Sequence, residues 1–347
     1  MSRIVVDNLV KSYGGDTLAV DGVSFTVEEG SLTVLLGESG CGKSTTLRMI
    51  AGLEDVTSGT IHIGDQDVTH RDAAKRSVSM VFQNYALFPH LSVEENILFG
   101  LKVRKVEANE RKRRLREASE LVGLSDFLDR KPAQLSGGQR QRVALARTIV
   151  AHQPVCLMDE PLSNLDAKLR ASMRNEIREL QQRLGLTMVY VTHDQIEAMT
   201  MADQVVLINE GEIVQADMPG NLYDRPATNF VARFIGQPPM NILNRNSQLD
   251  QNLKAIWQEN WHLGIRPEEI RVGEGPFQGT LNSIDYLGSE TVLWLDFDGQ
   301  TLAVKLPGRF SEKEGSNVSF GWGQDHAHWF DADGVRRDGL QTISPSS

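Results

Sequence analysis

Nine residues constrain this chain more than any others: Gly37-Glu38-Ser39-Gly40-Cys41-Gly42-Lys43-Ser44-Thr45. They follow the apolar run Thr33-Val34-Leu35-Leu36 and open a stretch with helical character that reaches Ala51. The spacing G-x-x-x-x-G-K-S, set between a buried strand and a helix, is the phosphate-cradling P-loop pattern. Glycines let the backbone curl until successive N–H groups point at an anion. The helix start adds its dipole and unpaired amides. Lys43 is placed for the β- and γ-phosphates, and the Ser44 hydroxyl for Mg²⁺. The plain alternative is a glycine-rich turn that binds nothing, and the strand–turn–helix context argues against it. The expected nucleotide contacts are Gly37, Ser39, Gly40, Cys41, Gly42, Lys43, Ser44 and Thr45.

A chain of 347 residues predicts two domains with sizeable cores. A net charge of −10 argues against broad contact with nucleic-acid backbone. Two cysteines, Cys41 and Cys156, make no disulfide framework and fit a reducing compartment. The start, Met-Ser-Arg-Ile-Val-Val-Asp, has no signal-peptide pattern, and no apolar run approaches a membrane helix. The expectation is a chain soluble by itself.

Ile4-Val5-Val6 and the alternating Val23–Val27 read as strands, with Tyr13 in the turn between them, free to stack on a base or to pack. Ser77–Phe82 is a strand that ends at Gln83. From Ser92 to Val150 the text turns helical, which predicts a helical insertion over about 85–150 within an α/β core. Its basic run Arg111–Arg114 sits among acidic residues and reads as a solvated helix face. Ser136-Gly137-Gly138-Gln139 then precedes a strong helix, with Ser136 as N-cap and bare amides at a second anion-binding end.

Pro154–Glu160 is a buried strand that closes on two carboxylates. Alternation along the strand aims Asp159 and Glu160 in different directions, one for Mg²⁺ and one for a water. The next strand, Leu186–Thr192, ends at His193. Gln83, Asp159, Glu160 and His193 thus terminate apolar strands at the edge where α/β sheets bind ligands. A short helical exit over Asn221–Phe234 leads to Gly236-Gln237-Pro238-Pro239, so the expected domains are 1–235 and 236–347. Beyond that boundary, short strands such as Thr291–Leu295 and Thr301–Lys305 predict an all-β barrel or sandwich. It has no metal cluster or nucleophile triad, and His326 and His328 read as surface residues in a late polar stretch.

The P-loop, Gln83, Leu135-Ser136-Gly137-Gly138-Gln139, Asp159-Glu160, Ser163–Asp166 and His193, in this order, resemble the ATP-binding subunit of ABC transporters. Phe230–Gly236, Leu263–Glu268, Tyr286–Glu290 and Tyr85–His90 are similar to the maltose-type importer branch, in which an OB-like TOBE domain follows the ATPase. The resemblance implies a RecA-like P-loop ATPase domain with a helical subdomain, then that β-domain. It implies ATP and Mg²⁺ as cofactors, Tyr13 on adenine, and Ser44, Gln83 and Asp159 around the metal. Lys43, Gln83, Glu160 as general base and His193 would carry hydrolysis. Ser136, Gly137, Gly138 and Gln139 would reach the γ-phosphate of the opposite chain.

The implied partners are a second copy of the chain, two membrane-spanning permease subunits and, through them, an extracytoplasmic solute-binding protein, with no nucleic acid. The implied place is the cytoplasmic side of the inner membrane, and the implied cargo a carbohydrate, polyol or sugar derivative. Import of polyamine, sulfate or iron is the alternative within the family, and a soluble mechanoenzyme the alternative outside it. Glu38 stands where the family often has Pro, beside the chemical positions.

Overall fold

The computed structural model describes residues 2–15, 17–253 and 260–338. The chain divides into two compact units at Pro219/Gly220. The first contains β1 (Ile4–Ser12), β2 (Leu18–Val27), β3 (Leu32–Leu36), α1 (Lys43–Ala51), β4 (Ser58–Ile63), β5 (Gln66–Asp67), β6 (Val78–Val81), α2 (Val93–Val103), α3 (Ala108–Leu121) and α4 (Gly137–Val150). It continues with β7 (Val155–Asp159), α5 (Ala167–Leu184), β8 (Thr187–Thr192), α6 (Gln195–Met201), β9 (Gln204–Asn209) and β10 (Glu212–Asp217).

A six-stranded sheet in the order β10-β9-β3-β8-β7-β6 forms the frame, parallel except for the edge strand β10. Every residue of β3, β7 and β8 is buried, which is why these strands read as unbroken apolar runs rather than alternating ones. Register decides where the chemistry goes. Leu36 pairs with Thr192, Asp159 with Val191 and Val81 with Met158. The residues just past β3, β6, β7 and β8 therefore emerge along one edge. A second, antiparallel sheet, β2-β1-β4-β5, alternates as the sequence suggested, and its inward Ile4, Val6, Val23 and Phe25 join one core with Leu47 and Ile50 of α1.

The helical insertion is present as α2, α3 and α4. Ser92 and Glu95 form a reciprocal capping box at α2. Fully buried Asn96 fastens the preceding loop, accepting from the Phe88 amide at 2.8 Å and donating to the Phe88 and Ser92 carbonyls. The basic run is neutralised on its own helix, where Arg113 bridges Glu110 and Glu117.

The second unit holds α7 (Pro219–Asp224), α8 (Asn229–Phe234), β11 (Asn241–Leu243), α9 (Ser247–Asn252), β12 (His262–Ile265), β13 (Ile270–Tyr286), β14 (Glu290–Phe297), β15 (Gln300–Pro307), β16 (Asn317–Trp322), β17 (His328–Phe330) and β18 (Arg336–Arg337). They make two antiparallel four-stranded sheets, β11-β12-β17-β18 and β15-β14-β13-β16, around Phe277, Phe297 and Phe320. The exit helices expected to close the first domain at 235 group with this unit instead. Their physical tie is Arg266, whose guanidinium donates to the carbonyls of Tyr223, Ala232 and Ile235. β13 runs through 17 residues, with a register break between Val272 and Phe277.

His328, expected in a polar surface stretch, lies on β17 opposite Gly264 and is partly buried. Burial, aided by nearby Arg336 and Arg266, pulls its pKa down to about 4. The unfolded chain takes up that proton near pH 6.5 while the folded chain does not until about pH 4. Stability is therefore lost as pH falls through this window. In chemical denaturation at pH 7 and pH 5, a His328→Gln chain should lose less stability on acidification than the parent; equal losses would contradict the shift.

Candidate functional site

The turn after β3 is built by glycines that nothing else can replace. Gly42 has φ +104°, and a Cβ there would lie 2.5 Å from the Ala19 carbonyl oxygen. At Gly37 a Cβ would meet the Ile208 carbonyl oxygen at 2.2 Å. Neighbouring backbone thus fills the space a side chain needs, and the loop is clamped between β2 and β9. Gly42 caps α1, whose first residue, Lys43, is only 4% exposed. The Lys43 ammonium donates to the carbonyls of Gly37 at 2.8 Å and Glu38 at 2.6 Å, and lies 3.6 Å from the Cys41 sulfur. Ser39, Gly40, Gly42, Lys43, Ser44, Thr45 and Glu160 line one recess of about 170 Å³. Cys41 and Cys156 are both free and buried.

The two carboxylates take different partners. Asp159 accepts from the Ser44 hydroxyl at 2.7 Å and lies 3.5 Å from the Arg48 guanidinium. Glu160 turns the other way, with a left-handed backbone at φ +43°. Its carboxylate accepts from the Gln83 amide at 3.1 Å and sits 3.3 Å from His193 Nδ1. A non-glycine residue held in that backbone region stores strain, and such strain clusters at sites of chemistry. Four strand ends, at β3, β6, β7 and β8, thus deliver Lys43, Gln83, the acid pair and His193 to one place.

Ser44, Asp159 and Gln83 offer hard oxygen donors, which suit Mg²⁺. Among the described residues no cluster of three or more His, Cys, Asp or Glu could hold a metal. A site of this composition would rely on nucleotide oxygens to complete the coordination sphere.

Gly37 and Cys41 touch Lys43 but do not line the recess, and two further predicted groups stand apart from it. Tyr13 is 63% exposed, with the Lys11 ammonium 4.9 Å from its ring centre. Ser136 begins α4 with a reciprocal box: its hydroxyl accepts from the Gln139 amide, while the Gln139 side chain accepts from the Ser136 amide. A Cβ at Gly137 or Gly138 would come within 3.0 Å of Leu165 or Leu169, so these glycines let α4 pack closely on the start of α5. Sequence reasoning missed Arg48, one helical turn after Ser44, and Asn164, whose amide donates to the Gln83 carbonyl at 2.9 Å. The i, i+4 spacing from Ser44 was the available signal for Arg48.

Residues 20–163 match the ABC transporter family, and residues 263–330 match the TOBE domain. The chain is 47% identical over 354 residues to the sn-glycerol-3-phosphate import ATP-binding protein UgpC of Brucella abortus, covering 97% of this chain and 99% of that one. It is 48% identical over 349 residues to the protein of the same name from Ruegeria pomeroyi, with the same coverage. Among solved structures, cbiO1 of Clostridium perfringens, part of an ABC transporter complex, aligns with a TM-score of 0.60 at 28% identity over 64% of this chain and 90% of that one. A dimeric bacterial ABC transporter cassette aligns with a TM-score of 0.56 at 31% identity over 62% of this chain and 98% of that one. No helix among the described residues is long and apolar enough to cross a membrane.

The clamp at Gly42 gives a direct check. Gly42→Ala should leave the far-ultraviolet circular dichroism close to that of the parent, yet weaken ATP affinity at least about tenfold, because the added methyl must displace β2 or the loop. Unchanged affinity by calorimetric titration would refute the clamp.

Proposed function

This chain belongs to the ABC transporter ATP-binding subunits, in the maltose-type import branch that carries a C-terminal TOBE domain, and we propose that it hydrolyses ATP at the sheet edge described above, as one half of a two-site dimer. It is an ATPase coupled to import. The observation that carries the residue assignment is the convergence of Lys43, the Ser44–Asp159 pair and the Gln83–Glu160–His193 cluster at four strand ends.

Lys43 already faces backbone carbonyls in the recess and would turn to the β/γ-phosphates. Ser44, Asp159 and Gln83 would hold Mg²⁺, which when bound supplies charge neutralisation to the phosphate oxygens. Glu160 orients the attacking water and takes its proton. His193, on the other side of the Glu160 carboxylate, orders that base and reaches toward the γ-phosphate. Tyr13, exposed at the end of β1, is the adenine platform. Ser136, Gly137, Gly138 and Gln139 complete the γ-phosphate cradle of the opposite subunit, which gives an oriented set of amides a single chain lacks. The dimeric cassette among the similar solved structures supports a two-chain assembly.

The segment just after Gln83 supplies the coupling surface. Phe88 packs on Phe99 with ring centres 4.4 Å apart, and Arg147 lies over Phe88 while donating to the Ala86 carbonyl. Beside them is a recess of about 240 Å³ lined by residues that include Phe82, Phe99, Arg104 and Arg147. We assign it to the membrane-spanning permease subunits, which dock the chain on the cytoplasmic face of the inner membrane. The names of the relatives support a polyol phosphate, sn-glycerol 3-phosphate, as the solute passed on by an extracytoplasmic binding protein.

Glu160→Gln keeps shape and hydrogen bonding but takes no proton. It should lower turnover by about 10²- to 10⁴-fold while retaining ATP, and should accumulate an ATP-dependent dimer in size-exclusion chromatography. Near-normal phosphate release would remove Glu160 from the role. For the solute, ATP turnover of the reconstituted importer should rise with loaded binding protein and sn-glycerol 3-phosphate. A response to maltose alone would move the cargo to unphosphorylated sugars.

A further inference from the structure

His193 is exposed, yet the residues on either side of it are fixed from below. Thr192, at the end of β8, is 3% exposed, and its hydroxyl donates at 2.7 Å to Oε2 of Glu197. The hydroxyl of fully buried Tyr190 donates to the same oxygen at 2.8 Å. Glu197 itself is 3% exposed, in the first turn of α6. With its proton committed to Glu197, the Thr192 oxygen turns a lone pair to the Asp194 amide, which it accepts at 3.0 Å. Asp194 caps α6 and pairs at 3.3 Å with Arg170 of α5. Arg170 in turn donates to the Leu165 carbonyl, in the loop that follows Glu160. The Glu160 amide closes the set by donating to the Val191 carbonyl at 3.1 Å.

We infer that Glu197 is a positioning residue for ATP hydrolysis: its buried carboxylate, through Thr192 and Tyr190, fixes the end of β8 so that His193 meets Glu160. The inference rests on the assignment of His193 and Glu160 made above. A buried carboxylate is an expensive way to fill space, and an apolar side chain of like volume would pack at lower cost. Burial does push the Glu197 carboxyl above its ordinary range. What an apolar residue cannot do is direct two hydroxyls to one point. That direction sets the orientation of the Thr192 oxygen and, through it, the amide next to His193.

Removing the acceptor should show in the chemical step. In the assembled importer, Glu197→Met should lower kcat about ten- to a hundredfold, the scale of an ångström-level misplacement, with KM for ATP within about threefold of the parent. Glu197→Gln keeps an oxygen where both hydroxyls converge and should recover most of the rate. A double-mutant cycle separates positioning from general loosening of the fold. In a His193→Ala background, followed by slow release of radiolabelled phosphate, Glu197→Met should cost no more than about a further twofold. Full turnover in Glu197→Met, or losses that multiply with those of His193→Ala, would overturn the inference. If Glu197→Met fails to fold, Thr192→Val enters the same cycle. Normal turnover in His193→Ala would bring down the parent assignment as well. Impaired His193→Ala beside normal Glu197→Met would bring down this inference alone.

Discussion

The parallel register of β6, β7, β8 and β3 is the constraint from which the rest of the first unit follows. Hydrogen-bonded strands cannot slip by one residue without turning every buried side chain to the other face. With Leu36 beside Thr192 and Asp159 beside Val191, that register leaves the four strands ending within a residue or two of one another. Gly37, Gln83, Glu160 and His193 come from distant parts of the chain, and no contact among them is needed to bring them together. The sheet does it, and the side chains only refine the distances.

On that edge the electrostatics are arranged around backbone as much as around charge. The Lys43 ammonium rests on two main-chain carbonyls, and the Asp159 carboxylate on a hydroxyl with a more distant guanidinium. Hydrogen bonds from neutral groups hold charges in place without cancelling them. The glycines serve the same end, since Gly37 and Gly42 bring carbonyls of β9 and β2 into the space a side chain would occupy.

Much of this was legible in the sequence because it depends on local pattern. Buried parallel strands write themselves as apolar runs, and the polar residue after each run marks the ligand edge. Asp159 and Glu160 take different partners as strand alternation led one to expect, although Glu160 has already left the strand with a left-handed backbone. Less local features were hidden. The grouping of α7 and α8 with the second unit depends on Arg266, more than thirty residues later than α8. The length of β13 was masked by glycines at 273 and 275 that usually end a strand but here accommodate a register break. His328 looked polar in a polar stretch, and only the fold shows its place on β17 opposite Gly264 and its partial burial. Arg48 had a signal only in its i, i+4 spacing from Ser44, while Asn164 and Glu197 meet partners set by the fold, of which the sequence around them carried no sign.

The left-handed backbone at Glu160 has a consequence for how this position can change over generations. Only glycine, and to a lesser degree asparagine, sits there without strain, so replacing the glutamate by glycine would relieve roughly 1 kcal/mol of local strain, set against the greater chain entropy that glycine loses on folding. Under the assignment of Glu160 as base, relief of local backbone strain and turnover therefore pull in opposite directions at this one position.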